Sequence, residues 1–196
     1  MKNIKLVNDE LDLELELNVM DNWNEIPLKT YFKMIDLTSE QNKMDEIDFT
    51  IEMISIISDI DKQKLMDIPI SELNKIEPII RGLNPENMNK DIPTHIDIEG
   101  INYVPKKNMS NITNNEIIWI KNLEKSSKTY SDNILSKLII LLRPGYSKTN
   151  EIGEIKWIQL PYDNDDYEKR KNIFLNYLKT NDAIPLINFF LTGKKG

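Results

Sequence analysis

The chain has 196 residues, 29% of them charged and 40% hydrophobic. That is a globular composition, long enough for one substantial core or two small ones. It contains no cysteine, which excludes disulfides, thiolate catalysis and cysteine-ligated zinc. A net charge of −7 argues against a nucleic-acid surface. The basic clusters are small: Lys106-Lys107, Lys169-Arg170-Lys171 and Lys194-Lys195.

No N-terminal apolar run reads as a leader, and no stretch of about 18 apolar residues is long enough to span a bilayer. The expectation is a chain of the cytosol, or of something assembled there, with no membrane contact. There are 31 Ile, 23 Asn and 22 Lys against 3 Arg and 1 Ala, the mark of an AT-rich coding sequence. That bias reduces the weight of the Asn-rich loops as chosen chemistry.

In chain order, "LDLELELNV" (residues 11–19) alternates strictly, with Leu11, Leu13, Leu15, Leu17 and Val19 on one face and acidic residues and Asn18 on the other. Period 2 predicts a strand with one buried face, although Leu and Glu are good helix formers. In "WNEIPLKTYFKMIDL", Pro27 suits a first helical turn, and Leu28, Tyr31, Phe32 and Ile35 form an amphipathic stripe. A second helix is predicted from about Glu46 to Ile60, apolar over a wide face. "DIPISELNKIEPIIRGLNP" reads as a loop and helix capped by Ser71, kinked or split at Pro78, and ended by Gly82 and Pro85.

Residues 86–94 are polar and bounded by Pro85 and Pro93, so a boundary or linker is placed there. "THIDIEGINYVP" reads as a hairpin turning at Glu99-Gly100. "NITNNEIIWIKNL" reads as a helix capped by Thr113 or Asn114. Another helix runs from about Asp132 to Leu142 and stops at Arg143-Pro144-Gly145. "EIKWIQLPY" is a strand candidate. "NDDYEKRKNIFLNYLKT" is a helix with an acidic first turn, and "AIPLINFFLTG" is a short apolar helix ending at Gly193. The fold class is α+β and mostly helical, with an N-terminal strand and a short β-hairpin. Two regions are expected, 1–90 and 91–196, able to pack as one domain. The segments Ile26 to Leu37 and Ile112 to Leu123 are compatible with two strand–loop–helix–helix units.

Catalysis and metal binding need a constellation. His95 is the lone histidine and is expected on one solvent face of the hairpin with Asp97 and Glu99. The acidic run Asp163, Asp165, Asp166, Glu168 lacks the glycine and the final glutamate of a calcium loop, and helix capping explains it better. The six glycines form no phosphate loop, and no serine sits in a nucleophile elbow. No enzyme activity, cofactor or metal is therefore expected. Trp119 and Trp157 lie in patterned elements and read as core. Trp23 lies in a loop and is a candidate interface anchor, as is the Phe189-Phe190 pair.

The order "W..IPL..Y", an Ile-rich helix, "LMDIPISELNKI", "IEGINYVPKKNMSNITNNEIIWI", "IILLRPGY" and a Tyr/Phe-rich C-terminal helix spans residues 17–192. It resembles small structural and assembly proteins encoded among the head–tail genes of crAss-like tailed phages of Bacteroides, and it is similar also to the tail-assembly-chaperone type. The resemblance implies a non-enzymatic virion component near the portal vertex or head–tail connector. Its partners would be portal, capsid or neck proteins, or copies of itself, with no direct nucleic-acid contact. It would reside in the host cytoplasm during assembly and then in the virion. The alternative is an assembly chaperone absent from the finished particle. A small cytosolic enzyme with a cryptic site is the reading from a third class.

Overall fold

A computed structural model of the chain describes residues 1–83, 86, 88–163 and 165–192. The architecture is α+β, as the patterning predicts, and divides into two compact units, Met1–Met88 and Asn89–Gly196.

The first unit opens with an antiparallel hairpin of β1 (Lys2–Asn8) and β2 (Leu13–Val19), in register from Lys2↔Val19 to Asn8↔Leu13. The period-2 segment is a strand, with Leu17 and Val19 buried and Glu14, Glu16 and Asn18 exposed. It starts two residues later than predicted, because Leu11 and Asp12 belong to the turn and Asp12 adopts φ 50°. β1 was not legible in the sequence. Of its seven residues only Leu6 is fully buried, and the lysines at 2 and 5 break any apolar run.

Helix α1 (Leu28–Glu40) follows, with Pro27 at the N-cap at φ −65° and not inside the first turn. Leu28 and Phe32 are buried, and Tyr31 and Ile35 are half-buried beside them. Helix α2 (Glu46–Ser58) is capped by Asp45, whose carboxylate accepts from the N–H groups of Ile47 and Asp48, both at 2.9 Å. It ends at Asp59, which is left-handed at φ 51°. Ile51, Ile54 and Ile57 bury its inner face, and the Met20 N–H donates to Ile57 O at 3.0 Å, tying the end of β2 to the end of α2.

Pro78 splits the next helix as predicted, giving α3 (Ile70–Leu73) and α4 (Glu77–Gly82) with the proline in the first turn of α4. Ser71 is not the cap: it lies inside α3, and Pro69 holds the N-cap. The predicted stop at Pro85 lies outside the described residues.

In the second unit β3 (Ile96–Ile98) and β4 (Ile101–Pro105) form the predicted hairpin. Glu99 and Gly100 both take positive φ, 55° and 77°, as a two-residue turn of the strand-matched hand requires. Helix α5 (Asn114–Ser126) begins at Thr113 and α6 (Tyr130–Leu141) at Thr129. The helix stops before Arg143-Pro144-Gly145, as predicted, but the strand that follows was not foreseen. The chain passes without a loop into β5 (Leu142–Thr149), which pairs with β4 through Tyr103↔Pro144, Val104↔Arg143 and Pro105↔Leu142. The physical reason is twofold. A residue before proline avoids the helical region, and β4 offers an open edge at that point.

β6 (Ile155–Gln159) completes an antiparallel sheet of order β3-β4-β5-β6. Gly145 is required where β5 crosses β6: a Cβ there would lie 2.4 Å from Ile158 O and 2.5 Å from Val104 Cγ2. Helices α7 (Tyr167–Tyr177) and α8 (Thr180–Thr192) close the unit, with Phe174 edge-on to the buried Tyr103 at 5.1 Å between ring centroids. The predicted stop at Gly193 lies outside the described residues. The order hairpin–helix–helix thus occurs three times along the described chain, where the sequence pattern suggested two strand–loop–helix–helix units.

Candidate functional site

Trp23, expected as a partner anchor, is 7% exposed and packs edge-on against Tyr31 at 6.1 Å. Its loop folds inward because Asn22 turns the chain, its side-chain oxygen accepting from the Asn24 N–H at 3.0 Å, and Met20 and Ile26 bury on either side. Phe189 and Phe190 are 5% and 8% exposed on the inner face of α8, with Phe190 beside Ile134 and Leu138 of α6. All three aromatics are therefore core in this conformation and not surface anchors. Trp119 and Trp157, which read as core, are half-exposed. The sequence order of exposure is thus reversed.

His95 is half-buried, stacking on Trp157 with ring centroids 3.8 Å apart and planes 17° apart, while Asp97 and Glu99 are exposed. Thr94 Oγ1 lies 3.1 Å from its Nδ1. In the acidic run Asp163 makes a turn, its side chain accepting from the Asp165 N–H at 3.0 Å. Asp166 takes the N-cap position of α7 without a side-chain cap bond, which corrects the capping expectation there. Asn164 lies outside the described residues. No three His, Asp or Glu side chains among the described residues gather to hold a metal ion.

Two of the residues counted as basic surface clusters point inward. Glu116 is 2% exposed at the start of α5, in a capping box: its N–H donates to Thr113 Oγ1 at 3.2 Å, and the Thr113 N–H donates to its carboxylate at 2.6 Å. Lys106 Nζ donates to both carboxylate oxygens at 2.9 and 2.6 Å, and Arg143 Nη2 reaches the carboxylate at 2.7 Å. Arg143 is 6% exposed and also donates to Gln159 Oε1, whose amide in turn donates to Val104 O and Leu141 O at 2.6 and 2.8 Å. Arg143 Nε has no hydrogen-bond partner. Arg170 is buried separately, donating to the carbonyls of Ile139, Asp163 and Asp166, with its guanidinium 4.9 Å above the Tyr162 ring.

Burial pushes the Glu116 carboxyl up, but the Lys106 ammonium, the Thr113 bonds and the Arg143 charge outweigh it and hold the group below the usual carboxylate range. Burial beside Arg170 lowers the Arg143 guanidinium, against the pull of Glu116. With four donor contacts on its two oxygens, the carboxylate has little capacity left for a substrate. Its chemistry is structural: it locks β4, β5 and α5 together by one anion. The signal for it was present as Thr113-x-x-Glu116. Its cationic partners at 106 and 143 are too distant in sequence to be read.

The exposed features carry more functional content. β4 pairs with β5 only at Leu142 to Pro144, whereas β5 and β6 continue together over Gly145–Thr149 and Ile155–Gln159. The β5–β6 hairpin therefore projects as a two-stranded arm about 17 Å long at ~3.4 Å per residue. Asn150 organises its tip, accepting from the Ile152 and Glu154 N–H groups at 3.1 and 2.8 Å, and Gly153 supplies φ 82°. The arm exposes Tyr146 (50%), Ile155 (67%) and Ile152 (78%). Register puts Tyr146, Ile158, Lys148 and Lys156 on one face, with the two lysines directly opposite each other.

In the first unit an open groove of about 230 Å³ lies between α2 and α3–α4, lined by Glu46, Ile47, Thr50, Ile70, Leu73, Asn74 and Glu77. Ile47 and Ile70 are 48% and 53% exposed. Charge is unequally shared. Residues 1–88 hold 9 basic and 19 acidic residues, a net −10, and residues 89–196 hold 16 and 13, a net +3. No described helix is long and apolar enough to cross a membrane. No family model matches the chain, and no curated protein or solved structure matches it either.

Proposed function

We propose that the chain is a non-enzymatic structural component of a tailed-phage virion, near the portal vertex or head–tail connector, working through contacts with other virion proteins. The observation that carries the contact role is the projecting β5–β6 arm. An isolated two-stranded hairpin is marginal in water, and this one holds Tyr146, Ile152 and Ile155 in solvent around an ordered tip. Apolar side chains on a preformed arm fit a surface that becomes covered. The resemblance of the element order to head–tail proteins of crAss-like phages supports the virion setting. The acidic total supports protein partners (portal, capsid or neck proteins) over nucleic acid.

Mass spectrometry of washed, gradient-purified particles tests this reading. Peptides of the chain at a fixed ratio to the portal protein support it. Peptides confined to the assembly lysate assign the chain instead to the tail-assembly chaperones.

A further inference from the structure

We infer that the β5–β6 arm of one copy docks into the α2/α3–α4 groove of a second copy, making a head-to-tail self-association. The inference deepens the contact role proposed above and rests on it. On the arm, Lys148 and Lys156 face each other across the strands, and neither has an ion-pair partner among the described residues. Directly opposed like charges destabilise a strand pair, so the arm carries an uncompensated cationic face flanked by Tyr146 and Ile158.

The groove has the matching composition. Ile47 and Ile70 offer exposed apolar surface, and the lining adds the carboxylates of Glu46 and Glu77. The Glu46 side chain has no ion-pair partner among the described residues. Tyr146 on Ile47 and Ile70, with the two lysines toward Glu46 and Glu77, pairs apolar with apolar and cation with anion.

The choice of a second copy comes from the charge division. A chain with −10 on residues 1–88 and +3 on residues 89–196 carries both complementary partners in every copy. An arm-in-groove contact uses two different surfaces, so it is heterologous and leaves a free arm at one end and a free groove at the other. Such contacts propagate until the rotation closes a ring.

The test is sedimentation velocity on the full chain over a range of concentrations at low and high salt. The expected result is concentration-dependent association that weakens with salt. Lys148→Glu with Lys156→Glu removes the arm face, and Glu46→Gln with Ile47→Asn removes the groove face without supplying a cation to the reversed arm. Both pairs are exposed, and thermal melts confirm folding. Each variant is expected to weaken self-association at least about tenfold. Mixed together, they restore one intact interface per pair and give a heterodimer that grows no further. Three outcomes overturn the inference: a wild-type chain monomeric at every concentration in low salt, a groove variant that still self-associates through its arm, or a mixture that gives no heterodimer. A monomeric chain that is nevertheless present in washed particles refutes the self-docking alone and leaves the virion reading standing.

Discussion

Replacing Glu116 by Gln removes one negative charge from a site where Lys106 and Arg143 have side-chain exposures of 12% and 8%. The shape is nearly kept, so the perturbation is electrostatic. Two buried cations then lose their anion, and an amide replaces an acceptor that takes three hydrogen bonds and the Arg143 ion pair. Breaking a buried pair by deleting one partner costs about 3–5 kcal/mol, because the remaining charge is left uncompensated. At ~4–8 °C per kcal/mol for a unit of this size, the melting temperature of the second unit should fall by at least about 10 °C.

Trp119 and Trp157 report on that unit once Trp23 is replaced by Phe, and fluorescence melts then isolate it. The control is Glu14→Gln, whose surface pair with Lys5 should be worth less than about 1 kcal/mol. Replacing all three charges with Leu and Met should recover most of the loss, since a well-packed apolar cluster escapes the desolvation cost. The pH dependence has a fixed sign. The folded carboxyl titrates below its unfolded value, so its stabilisation is full above the unfolded pKa of roughly 4.3 and is lost as pH falls through the folded value. The gap between wild type and Glu116→Gln should therefore close only in acid. A loss below about 1 kcal/mol at neutral pH would refute the assignment of Glu116 as the electrostatic lock.

Three further changes separate core from surface. Trp23→Ala should cost about 3–5 kcal/mol in the stability of the first unit, measured by urea unfolding, because the indole is buried against Tyr31; a near-neutral effect contradicts its placement in the core. Gly145→Ala should destabilise the second unit by about 1–3 kcal/mol and raise amide exchange along the arm, since the new methyl meets Ile158 O and Val104 Cγ2. His95→Ala should remove about 0.5–1.5 kcal/mol of ring stacking and change the Trp157 emission; unchanged emission speaks against the stack.

The elements that were legible in the sequence are those whose own residues settle them. The alternation of Leu13 to Val19, the Glu99-Gly100 turn and the split at Pro78 are local. β1 and β5 were missed because their partners, not their composition, make them strands: β1 follows the edge of β2, and Leu142 to Pro144 follow β4. Loop position misjudged Trp23, since nothing local shows that Asn22 turns the loop beneath α1. The basic doublet at Lys106 and triplet at Arg170 read as surface because their inward partners, Glu116 and the Ile139 carbonyl, are 10 and 31 residues away. The arm was half legible: "EIKWIQ" read as a strand, but its projection depends on where β4 stops pairing.

The central claim is that this chain works as a structural part of a particle, through its exposed arm. The most direct measurement is quantitative mass spectrometry of washed phage particles carrying either the wild-type chain or Lys148→Glu with Lys156→Glu. The expected result is wild-type chain present at a constant ratio to the portal protein, with occupancy of the arm variant sharply reduced although it melts normally. Wild-type chain missing from particles, or an arm variant incorporated at full occupancy, contradicts the account.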